Sequence, residues 1–252
     1  LSIVLCLLIG ILIGAFHGFF IAYIHIPPFI TTLAGMLLWR GVATIVLDGR
    51  PISPFPDNYL KLFESFVLGG GEETSIFIIT MIIAIICCLI FVFTEIYSRA
   101  SKKARGYTVS SKAQFISKIV ILCVVILVIG QFLARDRGIP VVLILLFVVI
   151  AIYSYFTKNT VPGRYLYAIG GNEKAAKLSG VNTDNVMFFA YTNMGFLSAV
   201  AALVCVARLN SAQPTAGNSY EMDAIASCFI GGASAYGGTG TVTGAVIGAI
   251  FM

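Results

Sequence analysis

Charged side chains are scarce in this chain of 252 residues, because only 11% are Asp, Glu, Lys or Arg whereas 59% are hydrophobic. A soluble domain of this size cannot bury so much apolar surface, and runs of about 18 or more apolar residues need a bilayer. The scarcity of charge therefore predicts an all-α fold, a polytopic transmembrane helical bundle.

Catalytic and cofactor motifs are missing as well. The sequence contains no GxxxxGK[ST] phosphate loop, no HExxH motif and no catalytic set of Ser, His and Asp. Its two histidines, His17 and His25, are far from any paired ligand set, and its six cysteines show no CxxC spacing. This predicts no catalytic residues, no metal site, no disulfide and no bound cofactor. We expect the chain not to be an enzyme and not to hydrolyse ATP alone.

Acidic residues are rare inside the apolar runs. Ion-driven carriers usually place carboxylates within the membrane to bind the coupling ion. The candidates here, Glu95, Glu221 and Asp223, all lie at the ends of apolar runs. An ion-coupled secondary transporter is therefore an alternative hypothesis for which the sequence offers no good ion-binding residue. A membrane scaffold that moves no solute is a further alternative.

Glycine and proline interrupt the first apolar runs. Three glycines recur at four-residue spacing within residues 1–23: Gly10, Gly14 and Gly18. This spacing places them on one helix face, which lets another helix approach closely. The Pro27-Pro28 pair then breaks the helix. Since the next apolar run, 29–47, follows at once, we expect either a tight hairpin at the surface or a discontinuous helix within the bilayer.

The last apolar segment, 224–252, is also expected to be broken. Each glycine costs roughly 1 kcal/mol in a helix interior relative to alanine, and this segment carries glycines in bursts. We expect 224–232 to enter the membrane as a re-entrant half-span, followed by a polar turn and a tightly packed helix. The residues expected to pack that helix against a neighbour are Gly240, Gly244 and Gly248.

The distribution of basic residues predicts the topology. Segment 99–118 holds six basic residues and no acidic one, whereas segment 48–74 holds two basic against five acidic residues. Cytoplasmic loops carry an excess of Lys and Arg, so we expect 99–118 to be cytoplasmic and 48–74 to lie outside. Alternation then makes 158–185 cytoplasmic, in agreement with its four basic residues, and puts 135–138 and 208–223 outside. The net charge of +5 is explained by this topology, and we expect no nucleic-acid binding. The predicted crossings are 75–94, 119–134, 139–156 and 186–207.

Few polar side chains lie inside the predicted spans. Arg40 is the one charge well inside an apolar run, where a centred charge costs about 2.5–3.5 kcal/mol. It either reaches outward toward Asp48 or lines a substrate path. Gln131 and Asn193 suit hydroxyl-rich ligands and equally suit hydrogen bonds between helices. The candidate substrate-pathway residues are thus Arg40, Gln131 and Asn193.

The longest mixed polar segment in the second half, 163–185, has its own helix signature. Asn172 can cap a helix by accepting a hydrogen bond from a free backbone N–H, and Gly180 can end it in the left-handed conformation. A helix of about two turns does not hold alone in water, so it must be fixed by its flanks or docked against something, and we expect a partner to dock there. Its small apolar patch is predicted to consist of Ala175, Ala176 and Leu178.

Several ordered motifs resemble those of the permease subunits of bacterial ATP-binding-cassette importers for monosaccharides, the ribose, xylose and multiple-sugar systems. The likeness covers nearly the whole chain. The motifs that carry it are Ile26–Gly35, Trp39–Gly41, Gly170–Val181, Ala207–Gly217, Tyr220–Ala226 and Ile230–Ser234.

The resemblance implies that residues 1–252 form one transmembrane permease domain, an incomplete part of a permease with about ten membrane segments, in the bacterial inner membrane. It further implies a second permease copy in a homodimer, an extracytoplasmic sugar-binding protein, and a partner ATPase that holds ATP and Mg²⁺. Residues 171–176 match the cytoplasmic loop that contacts the ATPase. The expected coupling loop is Gly170, Gly171, Asn172, Glu173, Lys174, Ala175, Ala176, Lys177, Leu178, Ser179 and Gly180.

Overall fold

The computed structural model describes residues 1–67, 73–104, 112–135 and 138–252. The helices within these residues are α1 (Ser2–Ala22), α2 (Pro28–Val46), α3 (Asp57–Glu64), α4 (Glu73–Ala104), α5 (Lys112–Arg135), α6 (Val141–Asn159), α7 (Val161–Gly171), α8 (Glu173–Leu178), α9 (Thr183–Leu209), α10 (Tyr220–Ile230) and α11 (Val242–Phe251). Two short strands, β1 (Phe66–Val67) and β2 (Ile139–Pro140), pair antiparallel.

Six helices in the described part of the chain are long and apolar enough to cross a membrane. They comprise α1, α2, α6 and α9 together with residues Phe77–Tyr97 of α4 and Gln114–Arg135 of α5. The prediction of an all-α, polytopic membrane protein is therefore confirmed. The chain divides into two compact units, one formed by Leu1–Phe63 and Leu145–Met252 and the other by Glu64–Ile144.

The first unit is built on the antiparallel pair α1 and α9. The glycine face predicted for α1 lies directly against the α9 backbone. A methyl group at Gly14 would lie 2.7 Å from the carbonyl oxygen of Tyr191, and one at Gly10 would lie 2.7 Å from that of Gly195. Because Gly10 and Gly14 have no side chains, the backbone of α1 lies directly against that of α9, as small residues permit in membranes.

One end of this pair is covered by α3 and is called the α3 end below. Phe63 is buried there together with Leu203 and Ala207 of α9. Tyr59 donates a 2.6 Å hydrogen bond to the carbonyl oxygen of Leu203, and burial raises the pKa of its hydroxyl. Segment 48–74 was expected to be a polar connection, and the helix within it was missed.

The loops at the α3 end are tied to one another. Asn210 ends α9 in the left-handed conformation, with φ of 47°. Its side-chain oxygen accepts a 2.9 Å hydrogen bond from the backbone N–H of Phe55. Ile52 and Ala212 form an antiparallel bridge. Two segments that were predicted to lie on the same side of the membrane, 48–74 and 208–223, therefore meet in the structure.

The helices α1 and α2 form a tight hairpin, which is the first of the two alternatives stated for the Pro27-Pro28 break. Pro28 is the first residue of α2, a position where its missing N–H is not needed. Phe16 packs edge-on against Trp39 with ring centroids 5.8 Å apart. The imidazole of His17 occupies the space where a side chain on Gly35 would lie. The chain therefore folds back on itself immediately after α1.

The second unit is an antiparallel pair of α4 and α5. A methyl group at Gly130 would lie 2.6 Å from the Cβ of Ala84, and the guanidinium of Arg99 lies 4.2 Å from the ring centroid of Phe115. The basic segment 99–118 was expected to be a loop. Most of it is instead helical, because α4 continues to Ala104 and α5 begins at Lys112. Arg105 lies outside the described residues.

The contact between α1 and α9 generates a prediction with an internal control. Gly14→Ala should destabilise the protein by about 1–3 kcal/mol, because the new methyl group meets backbone that cannot move aside. Gly41→Ala on α2 places its methyl group in open space and should be neutral or stabilise the helix by up to about 1 kcal/mol. Thermal unfolding of the detergent-purified protein measures both. A Gly14→Ala variant as stable as Gly41→Ala would contradict the packing.

Candidate functional site

The short helix α8 is closed at both ends by its own sequence. The side-chain oxygen of Asn172 accepts a 3.0 Å hydrogen bond from the N–H of Ala175. At the other end Gly180 adopts φ of 84°, and the N–H of Val181 bonds to the carbonyl oxygen of Ala176 at 3.1 Å. This is a Schellman ending, in which a left-handed glycine satisfies the last carbonyls. Six residues are thus fixed as a helix by capping.

The two faces of α8 differ sharply. Ala176 is 6% exposed, whereas Leu178 is 91% exposed. Two helical residues that are two positions apart point in nearly opposite directions. The predicted apolar patch of Ala175, Ala176 and Leu178 is therefore divided, since Ala176 faces inward and Leu178 projects away from the chain.

The helix α7, which precedes α8, was not predicted. Thr160 caps its beginning, where the hydroxyl accepts a hydrogen bond from the N–H of Gly163 at 3.3 Å. Pro162 stands at the second helical position. A threonine followed closely by a proline is a helix-start signal that the sequence does carry. Gly163 lies against the backbone of Phe156 and Thr157, which allows α7 to turn sharply away from the end of α6.

A cleft of about 640 Å³ lies between α7 and α8. Arg164 supplies the one charge among its lining residues, and the rest are polar or apolar. The residues that line it are Val161, Arg164, Tyr165, Ala168, Asn172, Ala175, Ala176, Ser179 and Val181.

The end of α7 touches the turn between α10 and α11. A methyl group at Gly170 would lie 2.5 Å from the backbone nitrogen of Gly238, and one at Gly237 would lie 2.7 Å from the carbonyl oxygen of Gly170. One turn earlier on α7, Tyr167 donates a 2.9 Å hydrogen bond to the carbonyl oxygen of Gly240. Sequence reasoning missed this contact, because no local pattern pairs residue 170 with residue 237.

The helices α10 and α11 form a closely packed hairpin. Gly244 lies against the backbone of Gly231, and Gly248 lies against the carbonyl oxygen of Ser227. Gly240 was also expected to pack in this helix, but α11 begins only at Val242, and Gly240 has φ of 135°, which no helix contains. Its place is in the preceding turn.

The candidate substrate-pathway residues lie on three different helices, α2, α5 and α9. Asn193 is half-buried on α9, and its side-chain oxygen accepts a 2.6 Å hydrogen bond from Tyr153 of α6. Arg40 is half-buried on α2, and within the described residues no ion pair joins it to Asp48. Gln131 is exposed on α5 and belongs to the second unit. Among the described residues, no group of three or more His, Cys, Asp or Glu side chains is arranged to hold a metal ion.

Known proteins match this chain over its whole length. The xylose transport system permease proteins of Haemophilus influenzae and Escherichia coli K12 are 35% and 33% identical to it, and the ribose import permease protein of Haemophilus influenzae is 35% identical. Each match covers 100% of this chain, and the chain spans 65%, 62% and 58% of those proteins, respectively. No solved structure matches the chain.

The family model described as the permease component of branched-chain amino acid transport systems matches residues 1–252. The relatives named above are permeases by their own descriptions, and six helices of the described structure are long and apolar enough to cross a membrane. The match to the family model over all 252 residues shows that this chain belongs to the branched-chain amino acid transport system permease component family.

Proposed function

We propose that this chain is the membrane-spanning part of a permease subunit of an ATP-driven importer, and that its cargo is a monosaccharide. The observation that carries the proposal is that relatives matching over the whole chain are named as xylose and ribose permeases. The given sequence has no phosphate loop, and the proposal assigns the supply of energy to a partner. That partner is an ATPase subunit, which would hold ATP and Mg²⁺ itself.

The orientation follows from charge and from the pairing of loops. The end of the α1–α9 pair opposite the α3 end is called the α8 end. Four basic residues lie there: Lys158, Arg164, Lys174 and Lys177. We assign this end to the cytoplasmic side of a bacterial inner membrane. The α3 end would then face outward. The bridge between Ile52 and Ala212 supports a common side for 48–74 and 208–223, as the alternation of spans requires, and the charge distribution decides which side that is.

The proposed dock for the ATPase is narrower than the expected coupling loop. It consists of α8 and the α7 residues that line the neighbouring cleft, and it leaves out Gly170 and Gly171. Leu178 is 91% exposed on a helix that its caps hold rigid. A side chain on a rigid element is already held in place before a partner arrives, so less conformational entropy is lost when the partner docks. The neighbouring cleft of about 640 Å³ can receive side chains of the partner in return. A sugar-binding protein would dock at the α3 end, and a second permease copy would complete the translocation path.

Accessibility of single cysteines tests the orientation. In a version without the native cysteines, Leu178→Cys and Asn218→Cys place thiols at exposed positions at the α8 end and in the loop before α10. We expect a membrane-impermeant maleimide to label Asn218→Cys in intact spheroplasts and to label Leu178→Cys only after the membrane is opened. The reverse pattern would contradict the orientation.

Substitution of Leu178 tests the dock. Leu178→Asp removes the apolar anchor and introduces a charge that the interface must bury, so we expect at least about tenfold less ATPase to copurify with the tagged permease, since each 1.4 kcal/mol is tenfold. The matched control is Leu62→Asp on α3, which is 51% exposed at the opposite end and should retain the ATPase. Equal copurification with both variants would reject the proposed dock.

A further inference from the structure

We propose that the contact between the last turn of α7 and the turn at residues 231–241 is a mechanical joint, and that Tyr167 is its positioning residue. Through this joint, docking of the ATPase on α8 would move the α10–α11 hairpin. The proposal rests on the proposed function of α7 and α8, and it adds the route by which the docking surface acts on a membrane segment.

The first step of this route is a rigid connection between α8 and α7. Asn172 is both the last cap of α7 and the first cap of α8. Its N–H bonds to the carbonyl oxygen of Ala168 at 3.0 Å, and its side chain accepts the 3.0 Å bond from the N–H of Ala175. The two helices therefore share Asn172, which is hydrogen-bonded to both of them. A displacement of α8 is passed to the last turn of α7 and not absorbed in a linker.

The second step is contact between backbones. Side chains are excluded from both surfaces, since a methyl group at Gly170 would lie 2.5 Å from the nitrogen of Gly238 and one at Gly238 would lie 2.8 Å from the Cα of Gly171. Side chains yield to a push by changing rotamer, whereas touching backbones move together. This contact is therefore stiffer than an ordinary side-chain contact of the same area.

Tyr167 adds a second point of attachment. Its hydroxyl donates to the carbonyl oxygen of Gly240 at 2.9 Å, just before Thr241 caps the beginning of α11. The glycine contact and the tyrosine bond hold residues 237–240 at two separate points on α7. Two points of attachment fix the orientation of the turn as well as its position.

The hairpin beyond the joint is suited to move as one body. Gly231 and Gly244 pack backbone to backbone, as do Ser227 and Gly248. Four glycines of the turn have positive φ angles, a backbone conformation that glycine alone adopts at low cost. They are Gly232, Gly237, Gly238 and Gly240. A tightly packed pair of helices joined to α7 at its turn follows a movement of α7 without having to repack.

The extent of α10 makes such a movement useful. It has 11 residues, or roughly 16 Å at 1.5 Å per residue. This is about half of the 30 Å hydrocarbon thickness. A helix of that length does not cross the membrane, and a segment that ends inside the bilayer can open or close a solute path there.

The adjacent glycines of α7 provide a matched pair of variants for the test. Gly170→Ala inserts a methyl group into the joint, whereas the methyl group of Gly171→Ala meets nothing within 4 Å. Tyr167→Phe retains the ring and removes only the hydrogen bond. Each variant is reconstituted in vesicles with the ATPase and the sugar-binding protein. The quantities measured are ATPase copurification, basal ATP hydrolysis, its stimulation by the sugar-loaded binding protein, and sugar transported per ATP.

We expect Gly170→Ala to retain the ATPase and basal hydrolysis but to lose at least about fivefold in stimulation and in sugar per ATP. Tyr167→Phe should lose about threefold, in the range set by one hydrogen bond, and Gly171→Ala should match the unmodified protein. Full coupling in both Gly170→Ala and Tyr167→Phe would overturn the joint. Loss of ATPase binding in Gly170→Ala, with Gly171→Ala unaffected, would overturn it too, since that glycine would then belong to the dock. If the unmodified protein binds no ATPase, the proposed function itself fails, which is a different result.

Discussion

Contact between backbones at glycine is the interaction on which this structure depends. Lipid is as apolar as leucine, so helices in a bilayer gain little from burying leucine and associate through close packing instead. In the first unit such contacts join α1 to α9, α10 to α11, and α7 to the turn at residues 231–241. The same element of sequence therefore builds the scaffold, the hairpin and the link between them.

These three contacts have different mechanical roles because their surroundings differ. The contact of α1 with α9 involves long helices, and at the α3 end it is locked by the buried side chain of Phe63 and the hydrogen bond of Tyr59. The contact of α7 with the turn has only a few backbone atoms and the hydrogen bond of Tyr167. The α1–α9 pair is therefore the rigid part of this unit. The α10–α11 hairpin, which is attached to α7 at the small joint, can move relative to that pair.

The sequence predicted those parts that local chemistry determines. Glycine spacing in α1, the proline break before α2, and the caps of α8 at Asn172 and Gly180 are all patterns that act within a few residues. The helix α7 was missed although Thr160 and Pro162 signal its beginning, because the following residues were read as one polar loop. The end of α4 was missed because basic residues predict a side of the membrane and do not by themselves end a helix.

The contacts that define the candidate site were beyond prediction for a physical reason. Gly170 and Gly237 are 67 positions apart, and glycine shows in sequence that something approaches closely but not what approaches. Leu178 looked like part of the same patch as Ala176, and the actual phase of the helix separates them. A short helix has too few residues for its buried face to be read from periodicity.

The most direct test of the central claim is a distance between the hairpin and the scaffold. Spin labels are attached at Leu62→Cys on α3 and at Tyr236→Cys in the turn, and pulsed electron paramagnetic resonance measures the distance between them. The native side chains at these two positions are 51% and 96% exposed. We expect this distance to change when the assembled ATPase binds a nonhydrolysable ATP analogue, and not to change when the joint is wedged by Gly170→Ala. An unchanged distance in an importer that still transports sugar would contradict the claim.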